Sequence, residues 1–96
     1  MTTNEKRLGT LFALGSVYIT RRAKEELSQE DIRRMLERHA KGDWGSVGPE
    51  DWVANEQALV HEMRLLSAYV SEAGKRVWVI TESDRSATTI LFPDEY

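Results

Sequence analysis

Acidic and basic side chains concentrate at one predicted turn, where Glu82, Asp84 and Arg85 follow the apolar run 77–80. Two carboxylates at this spacing could transfer protons or bind magnesium. The same spacing is common in turns, because Asp accepts hydrogen bonds from the backbone that follows it and Arg pairs with acids. We therefore expect Asp84 to build the turn and Arg85 to tie it to Glu82 or to the loop that contains Asp43.

The chain contains two histidines, His39 and His61, and no cysteine. Zinc sites use cysteine thiolates or two histidines spaced on one helix face, and the sequence has neither pattern. Residues 82–89 contain hydroxyl and carboxyl side chains, but no histidine lies close to them in the sequence. No Ser-His-Asp arrangement is therefore indicated. We expect no catalytic residues, no metal and no cofactor. His39 is expected to be a partly buried imidazole near a helix C-terminus, where positive charge is favoured.

Trp44 lies in a glycine-punctuated loop, residues 42–48, that follows a predicted helix. Its indole either anchors the loop in the core or is presented to a partner, since Lys41 and Asp43 beside it form the mixed rim typical of interface hot spots. The sequence leaves both interpretations open. Trp52 and Trp78 are expected in the core. The candidate interaction residues are Asp43, Trp44, Glu82, Asp84 and Arg85.

Hydrophobic periodicity predicts the elements that must position these residues. A strand is expected within 11–19, strongest over 16–19. Helices are expected over 21–27, over 29–40 with Ile32, Met35, Leu36 and His39 buried, and from Pro49 to about His61 with Trp52, Leu59, Val60 and Met63 as its apolar residues. A change to period two then predicts strands over 65–70, 75–82 and 87–92.

The order β-α-α-α-β-β-β predicts an α+β fold: an antiparallel sheet of three to four strands with helices on one face. We expect residues 1–9 to form a flexible N-terminal arm and residues 10–96 to form one domain. The length of 96 residues fits one modest core.

Composition excludes several function classes. No apolar run approaches the roughly 18 residues that a membrane helix needs, and no signal-peptide cleavage pattern follows the first apolar stretch, so a cytoplasmic protein is expected. The net charge is −3. Because acidic residues interrupt nearly every basic cluster, a nucleic-acid partner is not expected.

Three motifs carry a resemblance to a known group: GDWG at 42–45, RLLSAY at 64–69, and WVITESDRSATTIL at 78–91. Over residues 15–96 the chain resembles a family of small proteins encoded on plasmids and integrative elements, whose pattern is GDWG, RLLSAY, WIITEADRS and TT. The resemblance implies a mobile-element origin and no settled activity.

Together these observations predict a non-enzymatic protein-interaction module that binds a host or element protein and modulates host defence or element maintenance. An alternative is a small RNase, because residues 19–27 and the late strands are similar to RelE/ParE-type toxins. Its surface would consist of Arg64, Tyr69, Arg76 and Arg85. A third alternative is a structural homodimer in which an open sheet edge pairs with its copy.

Overall fold

The computed structural model describes residues 9–96, so residues 1–8 of the predicted arm lie outside the described residues. The chain forms a single α+β domain with the predicted element order. The strands are β1 (Ser16–Ile19), β2 (Leu65–Val70), β3 (Arg76–Thr81) and β4 (Ala87–Leu91), and the helices are α1 (Arg21–Glu26), α2 (Gln29–Ala40) and α3 (Pro49–His61). A 3₁₀ turn, Pro93–Glu95, follows β4.

The four strands form one sheet in the order β1-β4-β3-β2. β2, β3 and β4 form the predicted antiparallel meander, with Val79 opposite Ser67 on one side and Ile90 on the other. β1 lies at the edge and runs parallel to β4, with Ser16 opposite Ala87. The sheet is therefore mixed rather than wholly antiparallel. A period-two pattern is the same for both strand directions, so it could not reveal this pairing.

Local signals place the helix boundaries close to their predicted positions. Thr20 Oγ1 accepts a hydrogen bond from the Ala23 N–H at 3.1 Å, and Ser28 Oγ accepts one from the Asp31 N–H at 3.0 Å. Pro49 begins α3, and Gly42 follows α2 with a φ of 80°. The hydrogen bonds of Thr20 and Ser28 satisfy amides that a helix N-terminus leaves without partners.

The Asp31 side chain joins the start of α2 to a distant part of the chain. Its buried carboxylate pairs with Arg34 and accepts a hydrogen bond from the Glu72 N–H at 3.3 Å. The side chain therefore links α2 to the turn between β2 and β3.

The main core lies between one sheet face and the first two helices. Val77, Val79 and Ile90 are fully buried there against Ala23 of α1 and Met35 of α2. Within residues 9–96 the three α-helices cover only this face, as predicted. On the opposite face, Trp78 is half-buried and its ring meets the Tyr96 ring edge-on, with centroids 5.7 Å apart. Trp78 is therefore only partly in the core.

The buried side of α3 was predicted only in part, since Leu59 alone of the predicted apolar residues packs against the core. Its buried residues are Asn55 and Ala58, whereas Trp52, Val60 and Met63 are exposed. The Asn55 side chain bonds both backbone groups of Leu66, accepting from its N–H at 3.1 Å and donating to its C=O at 2.7 Å. This polar contact with the edge of β2 determines which side of α3 faces the sheet.

Candidate interaction surface

Asp43 is held within the fold by the helix that precedes it. Arg38 donates to both carboxylate oxygens of Asp43, at 2.7 and 3.2 Å, and Gly45 N–H donates to one of them at 3.2 Å. Burial raises the pKa of Asp43, but these hydrogen bonds and the Arg38 charge outweigh burial and lower the pKa below its usual value. Asp43 therefore remains charged and stabilises the start of the loop.

Trp44 is fully buried, which agrees with the anchor interpretation. Its indole stacks near the Phe12 ring at 6.2 Å and lies 5.8 Å from the His39 ring. The indole N–H donates to Glu56 Oε2 of α3 at 2.9 Å. The indole is thus enclosed by the protein itself, and a partner could reach it only after the loop had opened.

His39 lies in a buried chain of hydrogen bonds. Its ring nitrogens lie 2.5 Å from Ser67 Oγ and 2.8 Å from Thr81 Oγ1. Thr81 in turn bonds Thr88 at 2.7 Å, and Thr88 donates to the Leu14 carbonyl at 2.7 Å. Each hydroxyl has a partner, as buried polar groups require.

The environment of His39 keeps its ring neutral. Burial, and to a lesser extent the positive charge of Arg85, lowers the pKa of His39 to about 3. The expectation of a partly buried imidazole, at a helix end that favours positive charge, is therefore corrected to a fully buried neutral ring. Although His39 and Ser67 resemble part of a hydrolase site, neither side chain is exposed to solvent. The pair as it stands has no room for a substrate.

The turn after β3 is built as expected from Asp84, whose Oδ1 accepts the Ser86 N–H at 3.0 Å. Hydrogen bonds from Ser86 lower the pKa of Asp84. Arg85 has a left-handed backbone, with a φ of 62°, and its guanidinium binds Glu82 as expected, but through the backbone carbonyl and not the carboxylate. Its acceptors are the carbonyls of Ala58, Met63, Glu82 and Ser83.

Arg85 therefore joins the turn to the C-terminal end of α3, where the Ala58 carbonyl also accepts the N–H of Met63. The Glu82 carboxylate instead lies 3.7 Å from Arg64. Four of the five predicted interaction residues thus contact other groups of the same chain and have a structural role in the fold. The fifth, Glu82, contributes a weak surface ion pair.

The residues of the alternative RNase surface do not lie together. Arg64 and Arg85 are near one end of the meander, whereas Arg76 begins β3 at the other end. Tyr69 is buried on the helix-covered face, and its hydroxyl donates to the Asp43 carbonyl at 2.6 Å. Burial raises the pKa of Tyr69 above its usual value, so the phenol stays protonated.

Among residues 9–96, the largest group of solvent-facing apolar side chains near one element lies on and just after α3. We define the α3 surface as Trp52, Val53, Val60 and Met63, which are 37%, 55%, 75% and 57% exposed. Residues 53 and 60 are seven positions apart and therefore lie on one side of the helix. Such groups of exposed apolar side chains often mark interaction sites.

The charged side chains within the segment that contains α3 have one sign, although Arg64 and Arg85 lie beside Met63 at its C-terminal end. Residues 42–63 contain no Lys or Arg, whereas the whole chain has 13. The acidic side chains of this segment are Asp43, Glu50, Asp51, Glu56 and Glu62. Within residues 9–96, Glu50, Asp51 and Glu62 make no ion pair. No basic side chain of the described residues therefore neutralises these three carboxylates in an ion pair.

Sequence reasoning missed this surface because it assigned the apolar residues of α3 to the core. A signal was present: Asn55 and Ala58 lie on the side of Leu59, whereas Val53 and Val60 lie on another side. Two rows on different sides indicate a helix that can bury one and expose the other. The exposed Val53 was not singled out at all.

Other kinds of site find little support in the described structure. Among residues 9–96, no three His, Asp or Glu side chains are grouped so that they could hold a metal ion. No helix in the same range has the length and apolar character to cross a membrane.

Comparison of the chain with protein-family models, with curated proteins and with solved structures finds no match.

Proposed function

We propose that the protein is a non-enzymatic protein-interaction module that binds its partner through the α3 surface. The observation that carries the proposal is the exposure of four apolar side chains on and just after α3, two of which, Val53 and Val60, share one side of the helix. Interfaces usually gain most of their free energy from a few such side chains, with Trp among the most effective. Trp52, rather than the buried Trp44, is the tryptophan that can contribute here.

The chemistry of the partner follows from the charge pattern. A partner segment with an apolar stripe flanked by Lys or Arg would cover the exposed apolar side chains and meet Glu50, Asp51 and Glu62 on their rim. Rim charges of this kind chiefly raise the association rate and select against acidic partners. The biological setting that we propose, element maintenance or modulation of host defence, rests on the resemblance to mobile-element proteins.

The experiment compares two variants in binding. Val53→Ser with Val60→Ser removes apolar area from the α3 surface, and Val70→Ser is the matched control because Val70 is also 55% exposed but lies at the end of β2. As a defined probe we would use a synthetic amphipathic helix of Leu and Lys, with a Leu and Glu peptide as its charge control. Binding is measured by fluorescence anisotropy.

We expect the wild type and Val70→Ser to bind the basic peptide, and the double variant to bind it at least about tenfold more weakly, which corresponds to 1.4 kcal/mol. Equal binding by both variants, or equal binding of both peptides, would contradict the proposal. The same three proteins are then used in affinity capture from host cells, followed by crosslinking to locate the contact.

The absence of catalysis is tested separately. We expect the purified protein to leave RNA and DNA intact with or without magnesium, and to leave messenger RNA intact in a translating extract. Cleavage that disappears in Arg76→Ala would favour the toxin alternative instead. Arg76 is the better choice for this test, because replacing Arg85 would also remove its bonds to α3.

A further inference from the structure

The two edges of the sheet are treated differently by the rest of the fold. At the β2 edge, both backbone groups of Leu66 bond the Asn55 side chain. Ala68 N–H donates to the Trp44 carbonyl at 3.0 Å, and the Ala68 carbonyl accepts from Ser46 N–H at 2.7 Å. These contacts block further strand pairing at β2, which is how many proteins protect a sheet edge.

The β1 edge has no such cover in the part of the chain that the structure describes. Ser16 N–H and Thr20 N–H donate to carbonyls after and within β4, at 3.0 and 3.1 Å. Since backbone direction alternates along a strand, the N–H and C=O groups of Val17 and Ile19 point to the outer side. Neither residue makes a backbone bond there to any part of 9–96.

The described residues on both sides of β1, from residue 9 onward, leave this outer edge clear. Before β1, Leu11 N–H bonds the Ala40 carbonyl of α2, and the Leu14 carbonyl accepts the Thr88 hydroxyl, so this segment crosses the helix-covered face. After β1, α1 packs on the same face through Ala23. Residues 9–20 also contain no charge and no proline, the usual devices against edge pairing.

We propose that β1 pairs with β1 of a second copy, antiparallel, to form a continuous eight-stranded sheet. The outward groups fix the register: Val17 of one copy pairs with Ile19 of the other, each pair exchanging two hydrogen bonds. The twofold axis then passes between the two Tyr18 residues, which form a pair without hydrogen bonds. Strand pairing about such an axis is self-complementary, as a closed dimer requires.

A second copy fits this edge better than the α3 surface does. The α3 surface has an acidic rim, so two copies of it would repel each other. By contrast, β1 is uncharged, and Tyr18 is 58% exposed on the face opposite the helices. Pairing would bring the two Tyr18 rings together, and aromatic cross-strand pairs stabilise sheets.

The register is tested by a single cysteine in the full chain, which has none of its own. In an antiparallel pair without hydrogen bonds, the opposing Cα atoms lie about 4.5 Å apart, which is within the range that a disulfide spans. Under mild oxidation we expect Tyr18→Cys to form a disulfide-linked dimer rapidly. Val70→Cys, similarly exposed at the opposite edge strand, is the control and should remain largely monomeric.

The dimer is measured by sedimentation equilibrium, for the wild type and for Tyr18→Lys and Val70→Lys. We expect Tyr18→Lys to raise the dimer dissociation constant at least about tenfold, because like charges directly opposite each other destabilise a sheet. Val70→Lys should leave the constant unchanged, and circular dichroism should show both variants folded. A wild type that stays monomeric at millimolar concentration, or a dimer that Tyr18→Lys does not weaken, would overturn the proposal.

Discussion

Burial makes His39 a stabilising residue only while it is neutral. Its ring nitrogens lie between the hydroxyls of Ser67 and Thr81, and the nearest charge that acts on it, Arg85, is positive. A proton on this ring would have neither solvent nor a carboxylate to stabilise it. The unfolded chain lets the same ring take up a proton freely, so protonation favours unfolding.

We therefore expect the free energy of unfolding to fall as pH falls below 6.5. The pKa of His39 is about 3 in the folded protein against 6.5 in the unfolded chain, so only the unfolded chain binds the proton between these values. The contribution is fully present above pH 6.5 and is lost as pH falls, by about 2 kcal/mol between pH 7 and pH 5. Urea unfolding at these two pH values measures the loss.

His39→Gln serves as the test variant and His61→Ala as its control, because His61 is exposed. Most of the loss between pH 7 and pH 5 should disappear in His39→Gln, even though this variant is less stable at pH 7, and should persist in His61→Ala. An unchanged pH dependence in His39→Gln would show that other groups cause it.

Trp44 combines apolar packing with one hydrogen bond, and the two can be separated. Trp44→Ala removes a fully buried indole and should lower the free energy of unfolding by about 3 to 5 kcal/mol. Trp44→Phe keeps much of the ring packing but loses the bond to Glu56, so it should cost less. Chemical denaturation of both variants measures the difference. A loss below about 0.5 kcal/mol for Trp44→Ala would contradict the anchor role.

Individual residues were predictable from sequence where the partner is local. Asp84 was expected to build its turn, and its acceptor bond reaches only two residues along the chain. Arg85 was expected to bind Glu82 or the loop that contains Asp43, and it binds the Glu82 carbonyl, but its acceptors also include Ala58, 27 positions away. The environment of His39 likewise comes from Ser67 and Thr81, which no local pattern connects to α2.

The loop after α2 protects the edge of β2, and this requires glycine at one position. Gly45 has a φ of 78°, and a Cβ there would overlap the Ala68 carbonyl and the Tyr69 ring. Gly74 also has a positive φ, 87°, but a Cβ there would meet nothing within 4 Å. Alanine at position 74 would therefore cause backbone strain alone, whereas alanine at position 45 would cause both backbone strain and steric overlap.

We expect Gly74→Ala to cost about 1 to 2 kcal/mol, the usual penalty for a left-handed alanine. Gly45→Ala should cost at least about 2 kcal/mol more, because the loop must also move away from β2. Thermal or urea unfolding compares the two. Equal losses of unfolding free energy in the two variants would contradict the close approach of Gly45 to the Ala68 carbonyl.

The elements themselves were largely predictable, because caps and periodicity act over a few residues. The bounds of α2 and of the meander strands agree with the pattern to within a residue or two at each end. The orientation of α3 was not predictable in the same way. The helix has two apolar rows, and the choice between them depends on Asn55 meeting Leu66 of a strand that follows in sequence.

Across the whole molecule, β1 is the element most separated from its partner in sequence. Ser16 lies opposite Ala87, 71 positions later, whereas the strands of the meander follow each other directly. Closing so long a loop costs entropy that local pairing does not. β1 also has a neighbouring strand on one side only, whereas β3 has a neighbouring strand on each side.

These differences predict the order of local stability in dilute, monomeric protein. The amides of Ser16 and Thr20, which bond the β4 side, should exchange with solvent through a local opening that costs at least about 1 kcal/mol less than global unfolding. The β3 amides, Arg76–Thr81, should exchange only on global unfolding. Hydrogen exchange followed by NMR at several low urea concentrations measures both.

The outer amides of β1 give a separate result in the same measurement. Val17 and Ile19 have no backbone partner there within residues 9–96, so in dilute protein their N–H groups should exchange fast. If β1 pairs with a second copy, these two amides gain partners, and their protection should rise with protein concentration while that of β3 stays constant. Protection that is already high in dilute protein would mean that this edge is covered within one chain, and β1 would then be unable to form the proposed sheet.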